Sequence, residues 1–106
     1  IKQVNKLSSA GSQSTTIKTT ADKLFLLSEV EIFGSTSYSV SGEGTQYAYY
    51  KAGNSKVKNV SGSAGGWWER SPLAYDAAGF CGVVSGGGAS GGNASSSAGV
   101  AFGFCV

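Results

Sequence analysis

The feature that most constrains this chain is the abrupt change of character at Trp67-Trp68-Glu69-Arg70-Ser71-Pro72. Before it, the sequence mixes charges, aliphatics and tyrosines. After it, residues 73–99 are a run of small side chains in which Asp76 carries the lone charge. Two adjacent tryptophans have the apolar area to anchor a core. A Gly/Ser run has little with which to fold by itself. The chain reads as a rigid platform presenting a segment of low information content.

The platform divides into recognisable pieces. Ile1, Val4 and Leu7 recur at near-helical spacing and predict a short helix. Residues 8–20 read as a Ser/Thr/Gly loop with Ile17 as its apolar anchor. Residues 22–27 read as a buried strand. Ser28 followed by Glu31 matches a capping box, so a short helix is expected there, ended by Gly34. Glu29 and Glu31 suit the positive end of that helix, which argues against reading them as a catalytic pair. The tyrosines of residues 46–51 are expected to pack at the core edge. Arg70 is expected to pair with Glu29, Glu31 or Glu43.

Downstream, residues 78–85 and 100–106 both look like strands. In the second, Val100, Phe102, Phe104 and Val106 share one face, opposite Ala101, Gly103 and Cys105. It is expected to close the core as the hairpin partner of the first, with residues 86–99 as the connecting loop. A loop longer than about 12 residues between two strands of one domain is usually functional or disordered.

Composition excludes several functions. The net charge is +2 and the lysines are dispersed, so nucleic-acid binding is not expected. No apolar run approaches the ~20 residues of a membrane span. With no histidine and no CxxC, the usual metal ligands are missing, and scattered carboxylates make no calcium cage. No cofactor is expected. Cys81 and Cys105 read as buried thiols in preference to a disulfide, and buried thiols are inert, so enzyme activity is not expected either. Seven Lys, four Glu, three Gln and two Trp fall in residues 1–72, yet none of these types, nor Met, occurs after residue 72.

Residues 24–33 (Leu-Phe-Leu-Leu-Ser-Glu-Val-Glu-Ile-Phe), 43–47 (Glu-Gly-Thr-Gln-Tyr), 67–72 and 99–102 (Gly-Val-Ala-Phe), in that order, resemble a C-type-lectin-like domain of the formylglycine-generating-enzyme type. Many such domains are variable proteins of diversity-generating retroelements in gut bacteria and their phages. The resemblance implies an α+β fold with short helices, a small antiparallel sheet and long loops, here without the family's usual N-terminal strand and helices. It implies a scaffold over residues 1–72, a variable segment over 73–99 and a closing core strand over 100–106. It also implies a reason for the missing residue types: mutating the adenines of AAC codons reaches every type except Lys, Glu, Gln, Met and Trp. The diversified, ligand-binding positions it suggests are Leu73, Tyr75, Asp76, Ala77, Ala78, Gly82, Val84, Gly86, Gly88, Ser90, Gly91, Gly92 and Asn93. Gly82 and Val84 would face outward, opposite Cys81 and Val83, and Phe80 would need a bend to turn inward. The implied function is recognition of a protein or glycan receptor from a phage virion or cell surface. A structural or assembly domain is the alternative. The domain is expected to be completed by its own N-terminal fragment or by a second copy.

Overall fold

A computed structural model describes residues 1–9, 11 and 16–106. It is predominantly β, with 40% of residues in strands and 9% in helices. The expected α+β, C-type-lectin-like arrangement is thereby overturned: several small sheets replace helices packed on one sheet.

The N-terminal pair, β1 (Gln3–Ser8) and β2 (Ile17–Asp22), forms an antiparallel hairpin in which Asn5 faces Thr20 and Gln3 faces Asp22. The helix expected over residues 1–7 is therefore a strand. Its buried side chains are Asn5 and Ser8, whereas Val4 is exposed, so the apolar spacing gave the wrong period. The loop expected over 8–20 gives way to β2 from Ile17, and its residues 10 and 12–15 lie outside the described residues. The strand expected over 22–27 shrinks to β3 (Leu24–Phe25).

The helix α1 (Glu29–Phe33) starts where the capping pattern puts it. Ser28 Oγ accepts from the Glu31 N–H at 3.3 Å, and Gly34, at φ 72°, ends it with its N–H on Val30 O. Glu31 does not reach back to complete the box. Its carboxylate pairs with Arg70 instead. A second helix, α2 (Ala48–Lys51), buries Tyr50. The hairpin of β4 (Lys58–Val60) and β5 (Ser63–Gly65) turns through Ser61 and Gly62, both at positive φ, as a two-residue hairpin turn requires.

The main sheet has the order β8-β7-β6-β9, made from β6 (Trp67–Pro72), β7 (Gly79–Val83), β8 (Ala89–Asn93) and β9 (Gly99–Val100). Strand β7 pairs antiparallel with β6 and β8, while β9 runs parallel to β6. The partner of β7 is thus a strand formed within the glycine run itself, not residues 100–106. Ile32, Tyr50, Trp67 and Val83 form the apolar core, with Leu27, Phe33 and Ala101 against it.

The C-terminal segment, which includes β10 (Gly103–Phe104) paired with β3, alternates as expected but with the faces exchanged. Phe102 is 58% and Phe104 63% exposed, with Val100 and Val106 also outward. Ala101 packs on the core instead. The inward face must carry small residues because the backbone passes close to other groups. A Cβ on Gly103 would lie 2.8 Å from the Phe25 ring, and one on Gly99 2.7 Å from Val60.

Candidate functional site

Strand β6 organises the site because its alternation sends its two tryptophans to opposite faces. Trp67, Glu69 and Ser71 are buried beneath the sheet, whereas Trp68 and Arg70 lie partly open on the other face. Trp67 Nε1 donates to Lys56 O at 3.0 Å, which satisfies its polar handle.

Around β6 lies a polar network that includes Glu29, Glu31 and Glu43; all four glutamates of the chain are buried. Glu29 accepts from the backbone of Tyr38 and Ser39 and from Ser39 Oγ at 2.7 Å. Glu43 bridges Ser8 Oγ (2.7 Å) and Ser71 Oγ (3.2 Å). Arg70 pairs with Glu31 and donates to the carbonyls of Lys6, Leu26 and Glu43, clasping β1, β3 and α1 together. Glu69 stands apart: it is 1% exposed, and among the described residues neither carboxylate oxygen has a hydrogen-bond partner. Burial pushes it up to about 8, with Glu29 and Glu43 adding in the same direction. Burial also raises Glu43 and Cys81. Cys81 is a free, buried thiol held in its protonated form, and Cys105 is free and half-buried. Glu29 and Cys81 are fully enclosed, whereas Glu69, though 1% exposed, borders the cleft on the open side of the sheet. Among the described residues, no group of three His, Cys, Asp or Glu side chains is placed to hold a metal ion.

The opposite face is open. Trp68 lies over a shelf made by Gly82 and Gly92: their missing Cβ atoms would sit 3.9 Å and 3.4 Å from its ring. On one side of the indole is a shallow groove of about 190 Å³, whose walls include Gly82, Val84, Ser90, Gly92 and residues 96–98. On the other side, between the sheet and the β1–β2 hairpin, is a cleft of about 530 Å³.

The thirteen positions suggested as variable form a strip along the β7–β8 hairpin and not one loop cluster. Leu73, Tyr75, Asp76, Ala77 and Ala78 lie at one end, beside Asn93, with Asp76 Oδ1 accepting from the Ala78 N–H at 2.8 Å. Val84, Gly86 and Gly88 lie at the turn at the other end, about 17 Å away for a five-residue strand. Gly82, Ser90 and Gly92 lie between, facing outward with Trp68, whereas Gly91, paired with Cys81, points to the other face against Leu73. Cys81 and Val83 are buried and Val84 is exposed, as the alternation of β7 predicts. Phe80 needs no inward bend, since it stays on the outer face at 38% exposure.

Three of the thirteen are not free. A Cβ on Gly91 would lie 2.4 Å from the Leu73 side chain, so these two positions constrain each other. A Cβ on Gly82 would meet the Trp67 carbonyl at 3.0 Å. By contrast, among the described residues nothing lies within 4 Å of a Cβ placed on Gly86. Sequence reasoning missed the outward role of Trp68, which the alternation of β6 contained. It also missed the cleft residues Asn5, Thr20, Asp22 and Phe80, which only the β1–β2 register and the docking of that hairpin bring together.

A family model described as a domain of unknown function (DUF6273) matches residues 1–106. No curated protein and no solved structure matches the chain.

Proposed function

The chain belongs to the DUF6273 family, and from that premise, which names no activity, we propose that it is a recognition module. Its outer sheet face binds a protein or glycan receptor from a phage or cell surface, and a retroelement diversifies that face. The observation that carries this reading is the strip itself. The positions suggested as variable lie along one hairpin and the turn that leads into it, and the buried side chains of Trp67, Cys81 and Val83 hold that hairpin from beneath. Exposed substitutions usually change stability by within about ±0.5 kcal/mol, so such a strip can vary while the frame persists.

The test is a displayed library randomised at Tyr75, Asp76, Ala77, Ala78, Gly86, Gly88, Ser90, Gly92 and Asn93. Most clones are expected to fold, and panning against bacterial surfaces is expected to enrich binders. A library that largely fails to fold would overturn the reading. Comparing the gene with a neighbouring template copy tests the diversification: mismatches confined to template adenines are expected, and mismatches at all four bases would refute it.

The outward Phe102 and Phe104 favour a second reading, an assembly domain that buries this apolar face in a larger structure. Monomeric behaviour at high concentration, unchanged by Phe104→Ser, would remove that support.

A further inference from the structure

The cleft beside Trp68 belongs to the constant part of the molecule, since none of the thirteen positions lines it. Its volume of about 530 Å³ falls in the range of roughly 300–1,000 Å³ usual for small-molecule sites. Trp68 and Phe80 form the wall on the sheet side, and Leu7, Phe25 and Leu26 are among the residues lining it from the β1 and β3 side.

Its charge is one-sided: the acidic residues lining it are Asp22 and Glu69, and burial pushes Glu69 up to about 8, so that it is mostly neutral at pH 7 and Asp22 carries the charge. Asp22 lies at the cleft, and Asn5 Nδ2 (2.8 Å) and Thr20 Oγ1 (2.7 Å) both donate to its Oδ2. These two bonds are the main reason the carboxyl is held below its ordinary range, so it is ionised at neutral pH. Arg70 and Lys2 are the positive groups that act on it, yet neither forms an ion pair with it. Arg70 also lines the cleft, but its guanidinium is committed to Glu31 and to three backbone carbonyls. The cleft therefore combines aromatic walls with a carboxylate that has no countercharge in contact. Aromatic faces attract cations as well as apolar groups.

We propose that this cleft binds an organic cation: an ammonium or guanidinium group on an aromatic or branched aliphatic body, with the body against Trp68, Phe80 and Phe25 and the charge at Asp22. An anion meets repulsion from Asp22 and no available guanidinium. A neutral analogue keeps the walls but loses the charge pairing. This subsite stands or falls independently of the variable strip, because the two share Trp68 but none of the varied positions.

The test uses the intact chain and three probes of similar shape: 2-phenylethylammonium, 2-phenylethanol and 3-phenylpropanoate. Tryptophan fluorescence and the NMR signals of Trp68 and Phe80 report occupancy. The ammonium is expected to bind about fivefold more tightly than the alcohol, the increment of a partly exposed ion pair. The carboxylate is expected to bind most weakly. Raising the salt should narrow the ammonium–alcohol gap in the unaltered protein. Asp22→Asn should close the gap while leaving alcohol binding intact, and Phe80→Ala should weaken all three probes. A blocked Phe-Lys dipeptide distinguishes the source: tighter binding than the free amine assigns the site to a partner's side chain, weaker binding to a free amine. Equal binding of ammonium and carboxylate, a gap that survives Asp22→Asn, or no response from Trp68 and Phe80 at millimolar probe would overturn the proposal.

Discussion

The two faces of the β6–β7–β8 sheet are built from alternate residues of the same strands, yet they obey different rules. Beneath the sheet, Trp67, Glu69, Ser71, Cys81 and Val83 are all buried, and the carboxylates of Glu29 and Glu43 answer specific donors. Above it, Trp68, Gly82, Gly92 and Val84 border open grooves. One residue of register separates a frame in which nearly every group is committed from a surface on which few are. A strand can therefore carry a fixed core and a changeable exterior without any boundary along its length.

The largest expected effect breaks the frame through the unanswered carboxylate of Glu69. In the unfolded chain Glu69 ionises near 4.5, and in the fold near 8. Between those values the unfolded chain holds fewer protons than the folded one. Stability is thus full below pH ~4.5, falls as pH rises and levels off above pH ~8, by roughly 4–5 kcal/mol in all. Glu43, raised in the same direction, adds to the slope. Urea unfolding between pH 5 and 8.5 should show the decline, and Glu69→Gln should remove most of it. A flat profile in the unaltered protein would mean that Glu69 finds a partner in solution.

The adjacent tryptophans give the next contrast. Trp67→Ala removes the largest buried side chain and should cost about 3–5 kcal/mol. Trp68→Ala, on the open face, should cost about 1 kcal/mol while abolishing the fluorescence response to ligands in either groove. Equal destabilisation by the two would erase the distinction between the faces.

What is legible in the sequence follows the same division. The Ser28 cap, the Gly34 stop and the alternation of Cys81, Gly82, Val83 and Val84 are local patterns, and each is found where local chemistry puts it. That Arg70 is paired can be read from the sequence, but choosing Glu31 among three carboxylates requires the fold. Three readings fail because non-local terms decide them. Residues 1–7 bury Asn5, whose amide answers Asp22 across a hairpin, so polarity and burial are uncoupled there. Residues 89–93 have poor strand propensity and form a strand because β7 offers a complete ladder and Leu73 and Trp68 need small neighbours. Residues 100–106 have the right period and the opposite polarity, since close backbone approach at Gly99 and Gly103 outweighs burial of Phe102 and Phe104. The cleft is invisible in the sequence because its residues come from five separated stretches of chain.

A middle-sized effect tests whether the variable strip is as free as its exposure suggests. Leu73 lies where a side chain on Gly91 would go. Gly91→Ala alone should cost about 1–3 kcal/mol through overpacking. Leu73→Ala should make room for it, so the double variant should be more stable than the sum of the single effects predicts. The same coupling predicts that natural variants with a side chain at position 91 carry a smaller residue at 73. Additive single effects would show that Leu73 moves aside without penalty.

The smallest effects are expected at the hairpin turn. Among the described residues nothing lies within 4 Å of where a Cβ on Gly86 would sit, its φ is not in the left-handed region, and a Cβ on Gly88 would meet only Val84 at 3.5 Å. Gly86→Ser and Gly88→Ala should each change stability by no more than about 0.5 kcal/mol, measured by denaturant midpoint. Gly87, between them, has φ 90° and is absent from the thirteen positions. Gly87→Ala should cost about 1 kcal/mol or more, because a Cβ is strained in that conformation. A turn in which all three changes cost the same would mean that tolerance there reflects looseness of the whole hairpin and not the conformation of each residue. It would also leave the frame beneath the sheet without a firm strip to hold.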